Sequence, residues 1–256
     1  MAILYFILAI AATTCGSLAG IGGGVIIKPV LDLLGRDSLP AISVLSSATV
    51  FSMALFSTVK QLIGGFRPER RMLILAAGAV AGGLAGGALF SSLSAGLDHQ
   101  LLKGVQALII AIMLLPAAFR RFLPDYEINN PLLSAAVGIF LGLAAAFLGI
   151  GGGPVNVAVL CMLLAMEVRD AAVISILIIL FSQGAKLSLI AATGGFGGYG
   201  GLEMLIFMIP AGIAGGLIGS KLNRKLSEKI IARFFQVMIS IIIILNLYNA
   251  AAAFAE

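Results

Sequence analysis

Histidine appears once in this chain, cysteine twice and tryptophan not at all, and charged residues make up only 11% of its 256 positions. One histidine and two separated cysteines exclude a His/Cys metal cluster, a Cys-x-x-Cys redox centre and a disulfide framework. The shortage of charge excludes an ordinary soluble domain, in which about a quarter of residues are charged. Carboxylates are almost missing from the apolar runs, where Asp32 stands alone, so paired acid–base catalysis has no residues to work with. The chain reads as no enzyme, with no cofactor and no metal site. His99, beside Asp98 in an expected external connection, reads as a surface residue rather than a proton relay.

What fills the chain is apolar: 61% of residues are hydrophobic and the mean hydropathy is +1.14. No charge occurs from Met1 to Ile27, Ser38 to Val59, Met72 to Leu97, Ile128 to Met166 or Phe234 to Ala255. Several of these runs exceed the roughly 20 residues that cross a bilayer as a helix. The expected fold class is therefore an all-α polytopic membrane protein embedded in a lipid bilayer. The first run lacks the basic flank of a signal peptide and reads as a retained first helix.

The run Ile128 to Met166 holds 39 residues. As one helix it would extend about 58 Å, nearly twice the hydrocarbon thickness. It must break, and Gly149-Ile150-Gly151-Gly152-Gly153, followed by Pro154, is the place: glycine weakens a helix interior and proline suits a first helical turn. The same cluster, Gly20-Ile21-Gly22-Gly23-Gly24, interrupts the first run. The helical elements are then expected near Ala2–Leu18, Val25–Leu34, Leu39–Ile63, Met72–Ser92 and Gln100–Phe119. A second set follows near Pro131–Phe147, Pro154–Met166, Ala171–Ala192, Leu202–Leu222 and Ser227–Tyr248.

Other landmarks recur in the same order. Ala81-Gly82-Gly83-Leu84-Ala85-Gly86 returns as Ala214-Gly215-Gly216-Leu217-Ile218-Gly219, Lys103 and Gln106 return as Arg233 and Gln236, and Phe56-Ser57 with Lys60 resembles Phe181-Ser182 with Lys186. This divides the chain into a first membrane repeat, 1–125, and a second, 126–256, together one transport domain. Five elements per half make the two repeats inverted in topology, each beginning with a glycine-broken or re-entrant helix pair. Basic residues concentrate at Arg67, Arg70 and Arg71, at Arg120 and Arg121, and at Lys221, Arg224, Lys225 and Lys229; the positive-inside rule makes these loops cytoplasmic and both termini external. That topology accounts for the net charge of +5 without nucleic-acid binding, which needs basic residues gathered on one face.

Helix N-termini present unpaired N–H groups and partial positive charge, which suits anions. Gly22, Gly23 and Gly24, and Gly151, Gly152 and Gly153, each open a short helix, and an inverted repeat would bring the two N-termini face to face near the midplane. The alternative is that the glycines serve close packing, which is the reading favoured for Gly82, Gly83, Gly86, Gly215, Gly216 and Gly219. Ser46, Thr49, Ser57 and Lys60 share a helical face, as do Ser175, Ser182 and Lys186, and such polar stripes belong against protein or a water-filled cavity. Both lysines have a bland reading as snorkelling side chains. Asn156 and Gln183 are further hydrogen-bond candidates, while Lys28 and Asp32, four apart, read as a structural pair. The rival class, a cation/proton exchanger on an inverted repeat, would need carboxylates at membrane depth.

The paired glycine clusters, with Val25-Ile26-Ile27-Lys28-Pro29 after the first and Pro154 opening the second, resemble the TauE/SafE family of sulfite exporters and organosulfonate permeases. The resemblance covers nearly the whole chain. It implies a bacterial inner-membrane secondary transporter or exporter of small sulfur-containing anions such as sulfite, thiosulfate or sulfoacetate, with both glycine clusters lining the anion path. Pro29 has Ala158 at its offset position, so the two half-sites are not expected to be equivalent. Small residues pack helices within and between subunits alike, which leaves the oligomeric state open, a homodimer included.

Overall fold

The computed structural model describes residues 2–118 and 130–255, and these form ten α-helices with no strand among them. They are α1 (Ala2–Ala19), α2 (Gly24–Leu34), α3 (Leu39–Ile63), α4 (Arg70–Gly96), α5 (His99–Ala118), α6 (Pro131–Leu148), α7 (Gly153–Leu164), α8 (Val168–Thr193), α9 (Leu205–Lys225) and α10 (Glu228–Ala255). A 3-10 turn, Leu202–Met204, leads into α9. The basic pair Arg120 and Arg121 and the expected junction of the halves lie outside the described residues.

Eight of these helices are long and apolar enough to cross a membrane. The other two, α2 and α7, have 11 and 12 residues. At 1.5 Å per residue each is about half the thickness of a hydrocarbon core. Both begin at a glycine cluster. Gly20 and Gly22 adopt φ of +69° and +61°, and Gly149, Gly151 and Gly152 adopt +67°, +75° and +80°, a region that side chains with a β-carbon rarely enter. Side chains cap some of the other helix starts: Ser38 Oγ accepts from the Ala41 amide (3.4 Å) at α3, and Asn130 Oδ1 accepts from the Leu132 amide (2.8 Å) at α6, whereas α8 and α9 begin without a side-chain cap. Gly23 and Gly152, which precede α2 and α7, supply no side-chain cap.

Polar contacts sort the helix ends into two faces. On one, the Tyr5 hydroxyl donates to Asp37 Oδ2 (2.5 Å), Lys103 Nζ donates to Asp32 O (2.9 Å), and Asn249 Nδ2 donates to Pro29 O (3.2 Å). This Asp37 face gathers the start of α1, the end of α2 and the last part of α10. On the other, Arg224 lies against Gly64, Arg70 and Arg71 line one hollow with Pro131, and Arg169 pairs with Glu228 (3.8 Å) while donating to Leu226 O. This Arg224 face gathers the start of α6 and the start of α8. Thus α1 sets out from one face and α6 from the opposite one, and each returns through its short partner.

The packing partners exchange with the halves. Helix α1 packs on α9 as α6 packs on α4, α3 on α9 as α8 on α4, and α2 on α10 as α7 on α5, while α3 meets α8 and α5 meets α10. The closest of these seams rest on glycine. A β-carbon on Gly82 or Gly86 would strike the carbonyl oxygens of Ile139 and Leu143, and one on Gly215 or Gly219 those of Ile10 and Thr14. Small residues of this kind let helix backbones touch where lipid supplies no hydrophobic drive. Outward-facing side chains such as Ile3, Leu132, Ile206 and Ile244 are apolar and more than two-thirds exposed, the surface a bilayer covers.

Candidate functional site

The two glycine clusters touch at the centre of the bundle. A β-carbon on Gly153 would fall on the carbonyl oxygen of Ile21, and one on Gly24 would lie 2.5 Å from Ile150 O and 2.8 Å from Ser46 Oγ. Gly22 lies next to Gly153, and Gly151 sits between Val50 and Ile179. The pro-β space of Gly23 is filled by Thr13, and that of Gly152 by Ala145 and Asn156. All six glycines are buried, and their side-chain positions are occupied by protein. What the clusters offer is therefore backbone N–H groups at two uncapped helix starts.

Around this contact stand polar side chains with nothing to bond. Ser46 Oγ and both amide atoms of Asn156 and Gln183 are fully buried and have no hydrogen-bond partner. Ser46 belongs to the start of α2 through Gly24, and Asn156 to the first turn of α7 through Gly152. The antiparallel register of α3 and α8 is fixed by Ser43 bonding Lys186 and by Val50 and Ile179 meeting at Gly151, which puts Gln183 level with Ser46. An unmet buried polar group costs about 1–3 kcal/mol. Ser175 is satisfied: its hydroxyl donates to Gly20 O (2.7 Å) and ties α8 to the first broken helix.

The remaining sequence candidates serve the seams between helices. Thr49 Oγ1 donates to Leu45 O of its own helix (2.7 Å) and Thr49 packs on Gly212; Ser57 joins Ser17 (3.1 Å), which also bonds Gly216 O and Ser220. Lys60 Nζ donates to Leu217 O (3.0 Å) and is half-buried. The stripe expected on α3 therefore divides: Ser46 turns to the glycine contact, while Thr49, Ser57 and Lys60 turn to α9, whose glycines admit them. On α8, Ser182 donates to its own Ile179 O (3.3 Å). Gly83 packs on Ser182, whereas Gly216, its repeat counterpart, packs on Met53 and Ser57. The sequence pairing of Ser57 with Ser182 and of Lys60 with Lys186 is thus displaced by about one helical turn: Ser182 stands where Met53 does.

Lys186 is 1% exposed, donates to Ser43 Oγ (2.6 Å) and holds its ammonium 5.2 Å from the Phe90 ring centre. Sequence reasoning read Lys28 only as a local pair with Asp32, took Gln106 only as a repeat landmark and left Ser43 aside. Lys28, 2% exposed, donates to Gln106 Oε1 (2.5 Å), and Gln106 in turn donates to Phe147 O (2.7 Å). Lys28 therefore has a partner across the bundle, beyond the local relation with Asp32 that its spacing suggests, and Asp32 Oδ1 is buried with no hydrogen bond. The available signals were the i−3 position of Ser43 relative to Ser46 and the recurrence of Gln106 as Gln236. A hollow of about 200 Å³ opens on the Asp37 face, lined by Asp32, Asp37, His99 and Lys103 among others.

Comparison with known proteins agrees with this architecture. The family described as "Sulfite exporter TauE/SafE" matches residues 5–246. The "Probable membrane transporter protein YunE" of Bacillus subtilis (strain 168) is 26% identical, over 94% of this chain and 95% of its own length. No solved structure matches. With ten helices among the described residues, eight of them able to cross a bilayer, and a family match along nearly its whole length, the chain is a multi-pass membrane transporter, not an enzyme, and belongs to the sulfite exporter TauE/SafE family.

Proposed function

We propose that this transporter moves small sulfur-containing anions, of the class of sulfite, thiosulfate or sulfoacetate, and binds them where the N-termini of α2 and α7 meet. The observation that carries this reading is the set of buried, unpartnered donors at that contact: Ser46, Asn156 and Gln183, beside two helix starts with no side-chain cap. Hydroxyl and amide N–H groups with two positive helix ends suit an oxyanion, which would complete their hydrogen bonds. Gly22 to Gly24 and Gly151 to Gly153 contribute backbone, Lys186 stands within one turn of Gln183 on α8 beside the site, and Ser175 holds the frame. Thr49, Ser57, Lys60 and Ser182 act through helix packing.

The exchange of packing partners between the halves, and the opposite starting faces of α1 and α6, support two inverted repeats, 1–125 and 126–256, working as one transport domain. Arg70, Arg71 and Arg224 gather on one face, which supports a cytoplasmic assignment for that face in the bacterial inner membrane and external termini. An inside-negative potential then drives anions outward by roughly 2.3 kcal/mol per charge per 100 mV, so export needs no coupling ion. A cation exchanger fits less well, because Asp32, the one buried carboxylate among the described residues, lies between Lys28 and Lys103.

Thermal-shift titration of the purified protein tests the reading. Stabilisation by a sulfur oxyanion at concentrations where chloride and sodium do nothing is the expected result, since a ligand of the folded state raises its stability. Stabilisation by sodium alone refutes it.

A further inference from the structure

We infer that Lys28 and Lys186 form a second anion-binding station, between the hollow on the Asp37 face and the glycine contact, for a small sulfur oxyanion; this rests on the transport reading above. The two lysines come from different halves, on α2 and α8, and their side chains converge. Ser43 Oγ, which Lys186 bonds, and Lys28 Cδ both lie against Gly149, 3.0 Å and 3.7 Å from the place of its missing β-carbon. Each ammonium rests on a neutral oxygen: Gln106 Oε1 for Lys28 and Ser43 Oγ for Lys186.

A buried cation is retained at a cost unless something of opposite charge meets it. The charge here is not balanced. Two lysines face one buried carboxylate, Asp32, which lies one turn from Lys28 with Oδ1 unbonded, and Lys103 stands beyond it at the hollow. A neutral amide and a hydroxyl leave each ammonium's charge uncompensated, so an anionic oxygen that both bonds and neutralises it displaces them. Gly87 adds room for this arrangement, since a β-carbon there would lie 3.2 Å from Lys186 Cγ. An anion moving outward meets the two helix N-termini, then the lysine pair, then Lys103 at the Asp37 face.

The test uses the purified full chain, with thiosulfate as probe in calorimetric titration and thermal melting. Lys28→Met and Lys186→Met keep the volume and remove the charge. Each is expected to weaken thiosulfate binding at least about tenfold, while the ligand-free melting temperature stays level or rises, because an unbalanced buried charge has been removed. Binding within about twofold of wild type in either variant overturns the station, as does a fall in melting temperature with affinity kept, which marks a structural lysine. If a methionine variant fails to fold, Ser43→Ala decides: it leaves the charge and removes its resting contact, so thiosulfate binding held or tightened supports the station, and a tenfold loss refutes it. Wild-type protein that binds no sulfur oxyanion fails the transport reading itself, whereas wild type and both variants binding alike fails the station alone.

Discussion

Ile21 and Gly153 meet backbone to backbone: the carbonyl oxygen of Ile21 stands where a β-carbon on Gly153 would be, and that of Ile150 lies 2.5 Å from where one on Gly24 would be. The same two sequence positions, one from each half, thus lock reciprocally at the centre of the bundle. Neither side can yield by turning a side chain, because both partners are main chain.

Gly153→Ala is therefore expected to destabilise the fold by about 3 kcal/mol or more, at the upper end of overpacking costs. Gly198→Ala, where nothing lies within 4 Å, should change stability by less than about 0.5 kcal/mol. Melting temperatures of the two purified variants check the contrast, and equal melting would show that the cluster contact is loose.

Asn156→Leu and Gln183→Leu remove buried amides that have no partner. The expected result is unchanged or increased stability, by up to about 1–3 kcal/mol, together with loss of anion binding. Lower stability in both would mean that these amides serve the fold.

The lysines should separate. Lys60→Met is expected to alter anion affinity less than about threefold, a change of roughly 0.7 kcal/mol, because Lys60 holds Leu217 O at the α3–α9 seam. Lys186→Met should cost far more. Equal losses would restore Lys60 to the anion path.

Orientation is open to labelling. With Cys15 replaced, a membrane-impermeant maleimide added to intact cells is expected to modify Gly198→Cys, on the connection between α8 and α9, and to spare Arg67→Cys, on the α3–α4 connection. The reverse pattern would place the Arg224 face outside.

The helices themselves were legible because each is a largely apolar run set off by Gly, Pro or charged residues, and α2 and α7 began within one residue of the glycine-based expectation. The partners across the bundle were not. Periodicity gives the face of a helix but not its neighbour, so Ser46 and Ser57 looked alike, although one meets Gly24 and the other Ser17. Lys28 was read with Asp32 because local spacing is visible in sequence and the contact with Gln106, on another helix, is not. The matching of positions between α3 and α8 also escaped, since repeated Phe-Ser pairs suggested an equivalence that the glycines of α4 and α9 displace by about a turn.

The most direct measurement is flux of labelled sulfite and thiosulfate through proteoliposomes under an imposed potential, with wild type beside Asn156→Leu. Anion movement that grows with potential in wild type and vanishes in the variant is the expected result. Equal flux in both, or movement of sodium or protons without a sulfur anion, would contradict an anion site at the two opposed helix N-termini.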